Sequence, residues 1–285
     1  MLFRSPHALP SGVTQIEREA WAILLILLLA AAVAYAHVTT TTEEYSRYNT
    51  DWNGTSALPA EEIRDLRNLD TAATLLILAP DRPFTAEEVG YLRTFLDAGG
   101  RVIVADEEGT ANSLLADLGS TMRVRPQNLA SLERDRADPG LFTVSVVGNT
   151  SLFAGVGTVR VNRPAAVTGG EPLLETAILT WEDGDGDGRI SGDEVFGTAV
   201  ICAAEGNLTV LGDESLFINA MLAENPQFIE NIQPIRVDSI HSRTGTANPI
   251  INTRLWIQET PPAAAAAAAL AILPVAWHFG RKRDD

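Results

Sequence analysis

Two short runs constrain the fold more than anything else in the chain. Ala72–Leu78 reads AATLLIL and Arg101–Ala105 reads RVIVA, continuous apolar stretches without the polar alternation of a half-exposed strand. Such runs fit strands buried on both faces, as in a parallel sheet covered by helices. The residues between them agree. Thr85-Ala86-Glu87-Glu88 has the form of a capping box, and Val89, Leu92, Phe95 and Leu96 make an apolar stripe that stops at Gly99-Gly100. Asp106-Glu107-Glu108-Gly109-Thr110 then leads into a short helix, Ala111–Leu118, closed by Gly119. Strand, helix, strand, helix with tight connections predicts a doubly wound α/β sheet, in which ligands sit beyond the carboxyl ends of the strands.

The flanking sequence is less regular. Tyr45–Ser56 is polar and aromatic with turn residues and no apolar period, and it reads as an ordered loop. Pro59 followed by Ile63, Leu66 and Leu69 at helical spacing predicts a short amphipathic helix. The second half is β-rich: Leu141–Val147, Thr158–Val161, Thr176–Trp181, Thr198–Ala203 and Leu208–Leu211 are short strand-like runs, either extra strands on the same sheet or an insertion. Helical spacing returns in Glu214–Leu222 and Pro226–Ile232, and a polar stalk is expected over 238–262.

The ends are apolar. From Ala20 to Val38 there are 19 residues without a charge, enough for a helix to cross about 30 Å of hydrocarbon. The run reads as a retained transmembrane helix; its rival is a cleaved signal peptide, since Ala34-Tyr35-Ala36 fits the small-residue cleavage pattern. A second run, 263–279, is alanine-rich, contains Pro274 and ends in Gly280-Arg281-Lys282-Arg283. Arginine on both outer flanks predicts a two-span protein of the cell membrane, with cytoplasmic tails at 1–19 and 280–285 and an extracytoplasmic α/β domain over 39–237. The formal charge is −16, and Lys282 is the single lysine, so there is no basic surface to neutralise phosphates and nucleic-acid binding is excluded as a function class.

One motif carries specific chemistry. In Asp183-Gly184-Asp185-Gly186-Asp187-Gly188-Arg189-Ile190-Ser191-Gly192-Asp193-Glu194, carboxylates occupy positions 1, 3, 5 and 12 of a calcium loop and Gly188 supplies the sharp turn at 6. The expected calcium ligands are Asp183, Asp185, Asp187, the Arg189 carbonyl, Ser191 and Glu194. The flanks, Ala177–Trp181 and Val195–Ile201, read as strands, so the loop is expected to cap a β-hairpin and to bind calcium in the weak class, at about 10⁻⁴ to 10⁻³ M, for structure and not for signalling.

Leu75–Gly119 resembles the class I glutamine-amidotransferase-like fold, where a buried strand enters a sharp elbow that opens a helix. Tyr48–Ser56, Asn112-Ser113-Leu114-Leu115 and Gly212–Asn219 make the chain similar to an uncharacterised archaeal family of membrane-anchored proteins on that fold, domain of unknown function 4350. Amidotransferase chemistry needs a thiolate at the elbow, but Asp106-Glu107-Glu108 stands there, and the single cysteine, Cys202, lies in an apolar run as inert packing. Of four histidines only His241 could serve the domain, and it reads as a surface residue. The resemblance places Asn49, Trp52, Asn53, Asp106, Asn112, Asp213 and Asn219 around a ligand-binding crevice, and it implies partners among envelope proteins, MoxR-associated and von Willebrand-type proteins included. The expected function is a non-catalytic binding or scaffolding module stabilised by calcium. The alternative is an envelope peptide or glycan hydrolase using the crevice carboxylates.

Overall fold

The structure is a computed structural model that describes residues 15–134, 137–262 and 265–266. Thr41–Ala247 form one compact unit, and the segments on either side of it form another. The described elements of the second unit are helices α1 (Gln15–Thr39) and α6 (Pro249–Glu259). α1 exposes Trp21 and the apolar side chains from Ile23 to Leu29.

The larger unit is built on a nine-stranded sheet. Its parallel half comprises β1 (Ala60–Ile63), β12 (Ile235–Asp238), β2 (Thr74–Leu78), β3 (Arg101–Ala105) and β11 (Leu208–Leu211), neighbours in that order. The sheet continues antiparallel through β10 (Val200–Glu205), β8 (Glu171–Glu175), β5 (Leu141–Val146) and β6 (Thr158–Asn162). A separate antiparallel sheet has the order β7 (Ala165–Thr168), β4 (Arg123–Ser131), β9 (Thr180–Glu182).

Both continuous apolar runs are central strands, as their lack of alternation requires. The side chains of β2 split between two cores. Leu75 and Ile77 pack with Val102 and Val104 under α2 (Ala86–Asp97) and α3 (Asn112–Leu118), through Val89, Leu92, Phe95, Leu114 and Leu115. Leu76 and Leu78 face Phe217, together with Met221 of α4 (Asn219–Leu222) and Phe228 and Ile229 of α5 (Pro226–Asn231). Each such buried side chain contributes about 1.5–3 kcal/mol, which makes the two-faced burial of β2 and β3 the main source of the unit's stability. The capping box starts α2: Glu88 N–H donates to Thr85 Oγ1 at 3.3 Å and Thr85 N–H to Glu88 Oε2 at 2.8 Å. Leu78 and Leu211 both lie opposite Ala105, so the segments that follow β2, β3 and β11 leave the sheet at one edge.

Several expectations are corrected. Ala60–Ile63 is a strand and not the start of a helix, because pairing along β12 from Ala60↔Ile235 to Ile63↔Asp238 satisfies its backbone. The run Thr176–Trp181 is strand only at its end, in β9. The beginning of the expected stalk is part of the folded unit: Asp238, His241, Ser242 and Thr244 are buried. Most importantly, the two-span topology, with cytoplasmic termini and an outside domain, is overturned: among the described residues no helix is long and apolar enough to cross a membrane. The second run, apart from residues 265–266, lies outside the described residues, as do most of the expected tails.

Candidate functional site

The loop that follows β9 is tethered at its first residue, where Asp183 N–H donates to the Asn128 carbonyl of β4 at 2.8 Å. Gly186 and Gly188 have φ of +74° and +69°, a left-handed backbone that glycine adopts without steric cost, and these turns fold the acidic side chains inward. One carboxylate oxygen from each of Asp183, Asp185 and Asp187 lies within 4.8 Å of the others. Backbone donors offset part of the repulsion: Gly188 N–H reaches Asp183 Oδ2 at 3.0 Å and Arg189 N–H reaches Asp187 Oδ1 at 2.7 Å. Glu194 turns back over the loop, accepting from Gly184 N–H at 2.8 Å and Ser191 N–H at 2.9 Å. Ser191 Oγ lies 3.4 Å from Asp185 Oδ2. Asp183 Oδ1 is buried without a partner.

These residues fit a metal ion. An unpaired buried carboxylate oxygen is costly, and an all-oxygen donor set suits a hard cation. The three aspartates form a cluster that could hold one. The expected hairpin is corrected: β9 pairs with β4, β10 begins only at Val200, and the loop's two flanks meet at a single antiparallel bridge, where Gly197 N–H donates to the Thr180 carbonyl at 2.8 Å, with Trp181 meeting Phe196 edge to face at 5.8 Å. No helix borders the loop, so the paired-helix lever of a calcium switch is missing.

Most of the expected crevice residues are tied into internal hydrogen bonds. Asn49, Asn53 and Asn219 come together and tie the 45–57 loop: Asn49 Nδ2 donates to Asn53 Oδ1 at 2.9 Å, and Asn219 Nδ2 donates to the Asp51 carbonyl at 2.7 Å. Asn219 Oδ1 also accepts from Ala57 N–H at 2.8 Å. Trp52 is 65% exposed. Asp106 caps the turn after β3, accepting from the N–H groups of Glu108, Gly109 and Ala111 and the Thr110 hydroxyl. Asn112 bonds both the N–H and the carbonyl of Val124 through its side chain, and its own N–H donates to the Gly109 carbonyl in the turn that Asp106 caps. Asp213 accepts from Asn162 N–H at 2.8 Å and from Ser215 Oγ at 2.6 Å.

The unusual chemistry belongs to their neighbours. Glu107 and Glu214 follow those two aspartates, and each keeps a buried Oε2 without a partner. Burial pushes the Glu214 carboxyl up to about 8, against the opposing pull of the Arg243 guanidinium and of the Tyr45 hydroxyl bonded to it. Glu107 is raised as well, by burial and by the charges of Asp213 and Glu214. Tyr45 is buried and its hydroxyl is raised, again chiefly by burial. Arg243 pairs with Glu108 at 2.6 Å and lies 5.9 Å from the centre of the Tyr45 ring. The sequence signal for this cluster was the repeat of Asp-Glu just beyond two adjacent apolar strands.

Two further residues bear on catalysis. His241 is buried and not on the surface: Nδ1 lies 2.6 Å from Asp238 Oδ2, Nε2 lies 3.5 Å from Glu88 Oε2, and the ring stacks on Phe84 at 3.6 Å. Burial opposes its charge, but Asp238 and Glu88 hold its pKa above the ordinary value. Ser242 Oγ accepts from Leu78 N–H at 2.9 Å. Cys202 sits in β10, 1% exposed, and burial raises its thiol far out of the nucleophilic range. The expected elbow at Asp106-Glu107-Glu108 has no left-handed residue; that backbone occurs instead at Ala79, φ +46°, which follows β2, carries no nucleophile and is separated from α2 by the 80–85 segment.

Residues 47–232 match a family model described as Domain of unknown function (DUF4350). No curated protein matches the chain. Among solved structures, the chain is similar to one titled mmIFT52 N-terminal domain, at 20% identity over 56% of this chain and 76% of that one, with a TM-score of 0.43. It is also similar to alpha-L-fucosidase isoenzyme 2 from Paenibacillus thiaminolyticus, at 14% identity over 59% and 25% of the two chains, with a TM-score of 0.30. At these scores neither likeness bears on function.

Proposed function

The chain belongs to the DUF4350 family, and from that premise we propose that its folded unit is a non-catalytic binding or scaffolding module whose 183–194 loop is closed by calcium. The observation that carries the calcium reading is the unpartnered buried Oδ1 of Asp183 amid three converging carboxylates. A calcium ion there would take oxygens from Asp183, Asp185 and Asp187, the Arg189 carbonyl, Ser191 and Glu194. Flexible coordination by many oxygens favours calcium over magnesium, which demands tight octahedral geometry. We read the parallel half-sheet as amidotransferase-like, a reading supported by the left-handed Ala79 at the end of β2. The absence of a thiol at that position and the burial of Cys202 support a silent site. The hydrolase alternative is less well supported: the carboxylates of Asp106 and Asp213 are occupied by internal donors, and both His241 nitrogens face carboxylates.

Thermal melting of the full chain tests the reading. Calcium at about 10 to 100 times its dissociation constant stabilises the folded form by about 1.4 to 2.7 kcal/mol. For a unit of this size that raises the midpoint by about 3 to 10 °C. Asp183→Ala combined with Glu194→Ala should abolish the increment, and magnesium should not reproduce it. An undiminished calcium response in the double variant would move the ion elsewhere.

A further inference from the structure

Beside the loop lies a cleft of about 430 Å³, within the range of small-molecule sites. Its lining combines buried Thr180 and Trp181 with the more exposed Arg125, Glu182, Asp193 and Phe196. Thr180 and Trp181 are 1% and 2% exposed, yet Thr180 Oγ1 and Trp181 Nε1 have no hydrogen-bond partner. Buried polar atoms are rarely left unpaired, so two such atoms in the lining of one cleft point to a ligand that completes them.

The donor and acceptor inventory limits what that ligand is. An indole N–H only donates, so the ligand must offer an acceptor, which an ammonium or guanidinium lacks. Glu182 and Asp193 only accept when ionised, so the ligand must also donate, which a carboxylate does not, and a phosphate, though it can keep one hydroxyl, is repelled by these acids and the adjacent acidic loop. Arg125 does not reverse the acidic balance, because it is paired with Glu182 at 2.9 Å. A hydroxyl group both donates and accepts. Phe196, 40% exposed, adds an apolar face beside these polar groups. We propose that this cleft binds a neutral saccharide, with ring hydroxyls bridging the Trp181 N–H and the carboxylates of Glu182 and Asp193 and the apolar ring face against Phe196. Trp181 and Phe196 stand two residues outside Asp183 and Glu194, so a closed loop fixes their spacing. The calcium dependence of saccharide binding, though not the cleft itself, therefore rests on the calcium reading.

Saturation-transfer NMR and calorimetry on the full chain, with millimolar calcium, would use glucose, galactose, mannose, N-acetylglucosamine, lactose and cellobiose as probes. At least one is expected to bind, and Phe196→Ala or Asp193→Asn is expected to weaken it tenfold or more without shifting the melting temperature. Trp181→Phe, which keeps the ring but loses the N–H, should act in the same direction; if it does not fold, the two exposed positions still carry the test. Saccharide binding that survives chelation of calcium would uphold the cleft while removing its dependence on the closed loop; the calcium reading itself is judged by the melting response. A calcium-stabilised chain that binds none of the sugars would overturn the cleft alone. So would saccharide binding indifferent to Phe196→Ala and Asp193→Asn, or displacement of the sugar by putrescine or inorganic phosphate.

Discussion

Glutamine in place of Glu214 isolates the energetic consequence of the buried acid cluster. Glu214 is 1% exposed, and its carboxyl rises from 4.5 to about 8 in the folded chain. Because the folded-state value is the higher one, the folded form holds a proton that the unfolded chain has released. The associated stability is fully present below pH 4.5 and is lost as pH rises through about 8. At pH 7 the interval from the unfolded value is about 2.5 pH units, and at 1.36 kcal/mol each the loss is about 3 kcal/mol. Glutamine is neutral throughout and keeps an oxygen to accept from the Tyr45 hydroxyl. Urea unfolding followed by tryptophan fluorescence at fixed calcium should therefore give equal stabilities for Glu214→Gln and the unaltered chain near pH 4.5. At pH 7 the variant should be about 2 to 3 kcal/mol more stable. A difference that does not change with pH, or a variant less stable at pH 7, would refute the assignment of Glu214 as a carboxyl held protonated by burial.

Two further outcomes follow from the buried groups. His241→Gln should cost about 2 to 4 kcal/mol at pH 6, since buried Asp238 loses its cationic partner. The His241 contribution is fully present below the ordinary 6.5 and should fade in urea melts as pH climbs above 6.5 through the raised folded value. Cys202 should resist a thiol reagent in the native chain and react with one equivalent only in denaturant, because burial raises its thiol and blocks access; stoichiometric labelling of the folded chain would contradict this.

What could be read in advance depended on how local the determining contacts are. The strands β2 and β3 were legible because burial on both faces leaves an unbroken apolar run, and α2 because its capping box spans four residues. The convergence of Asp183, Asp185 and Asp187 was legible for the same reason, since the three fall within five positions. β1 was not: Ile63, Leu66 and Leu69 have helical spacing, but partner β12 lies more than 170 residues away and decides the backbone state. β4 was hidden by Pro126, near which its pairing shifts register between Arg125 and Asn128. The crevice asparagines could not be told from turn-capping amides, because the same amide group performs either role and only its partners distinguish them. Glu107 and Glu214 look like solvated acids in sequence; Glu214 is buried and Glu107 half-buried because the segments after β3 and β11 meet each other and Tyr45, a long-range consequence of strand order. His241 was misplaced on the surface for the same reason, since Glu88 and Phe84, which enclose it, lie far from it in sequence.

Terbium luminescence gives the most direct measurement of whether the 183–194 loop holds a cation. Terbium takes calcium-type oxygen sites, and Trp181, two residues before Asp183, is placed to sensitise it. Excitation of the indole should produce terbium emission that saturates at one ion per chain and is displaced by calcium. Trp181→Phe should remove the sensitisation, and Asp183→Ala with Glu194→Ala should remove the binding. Undiminished, calcium-displaceable emission from the Asp183→Ala, Glu194→Ala chain would contradict the loop as the calcium site.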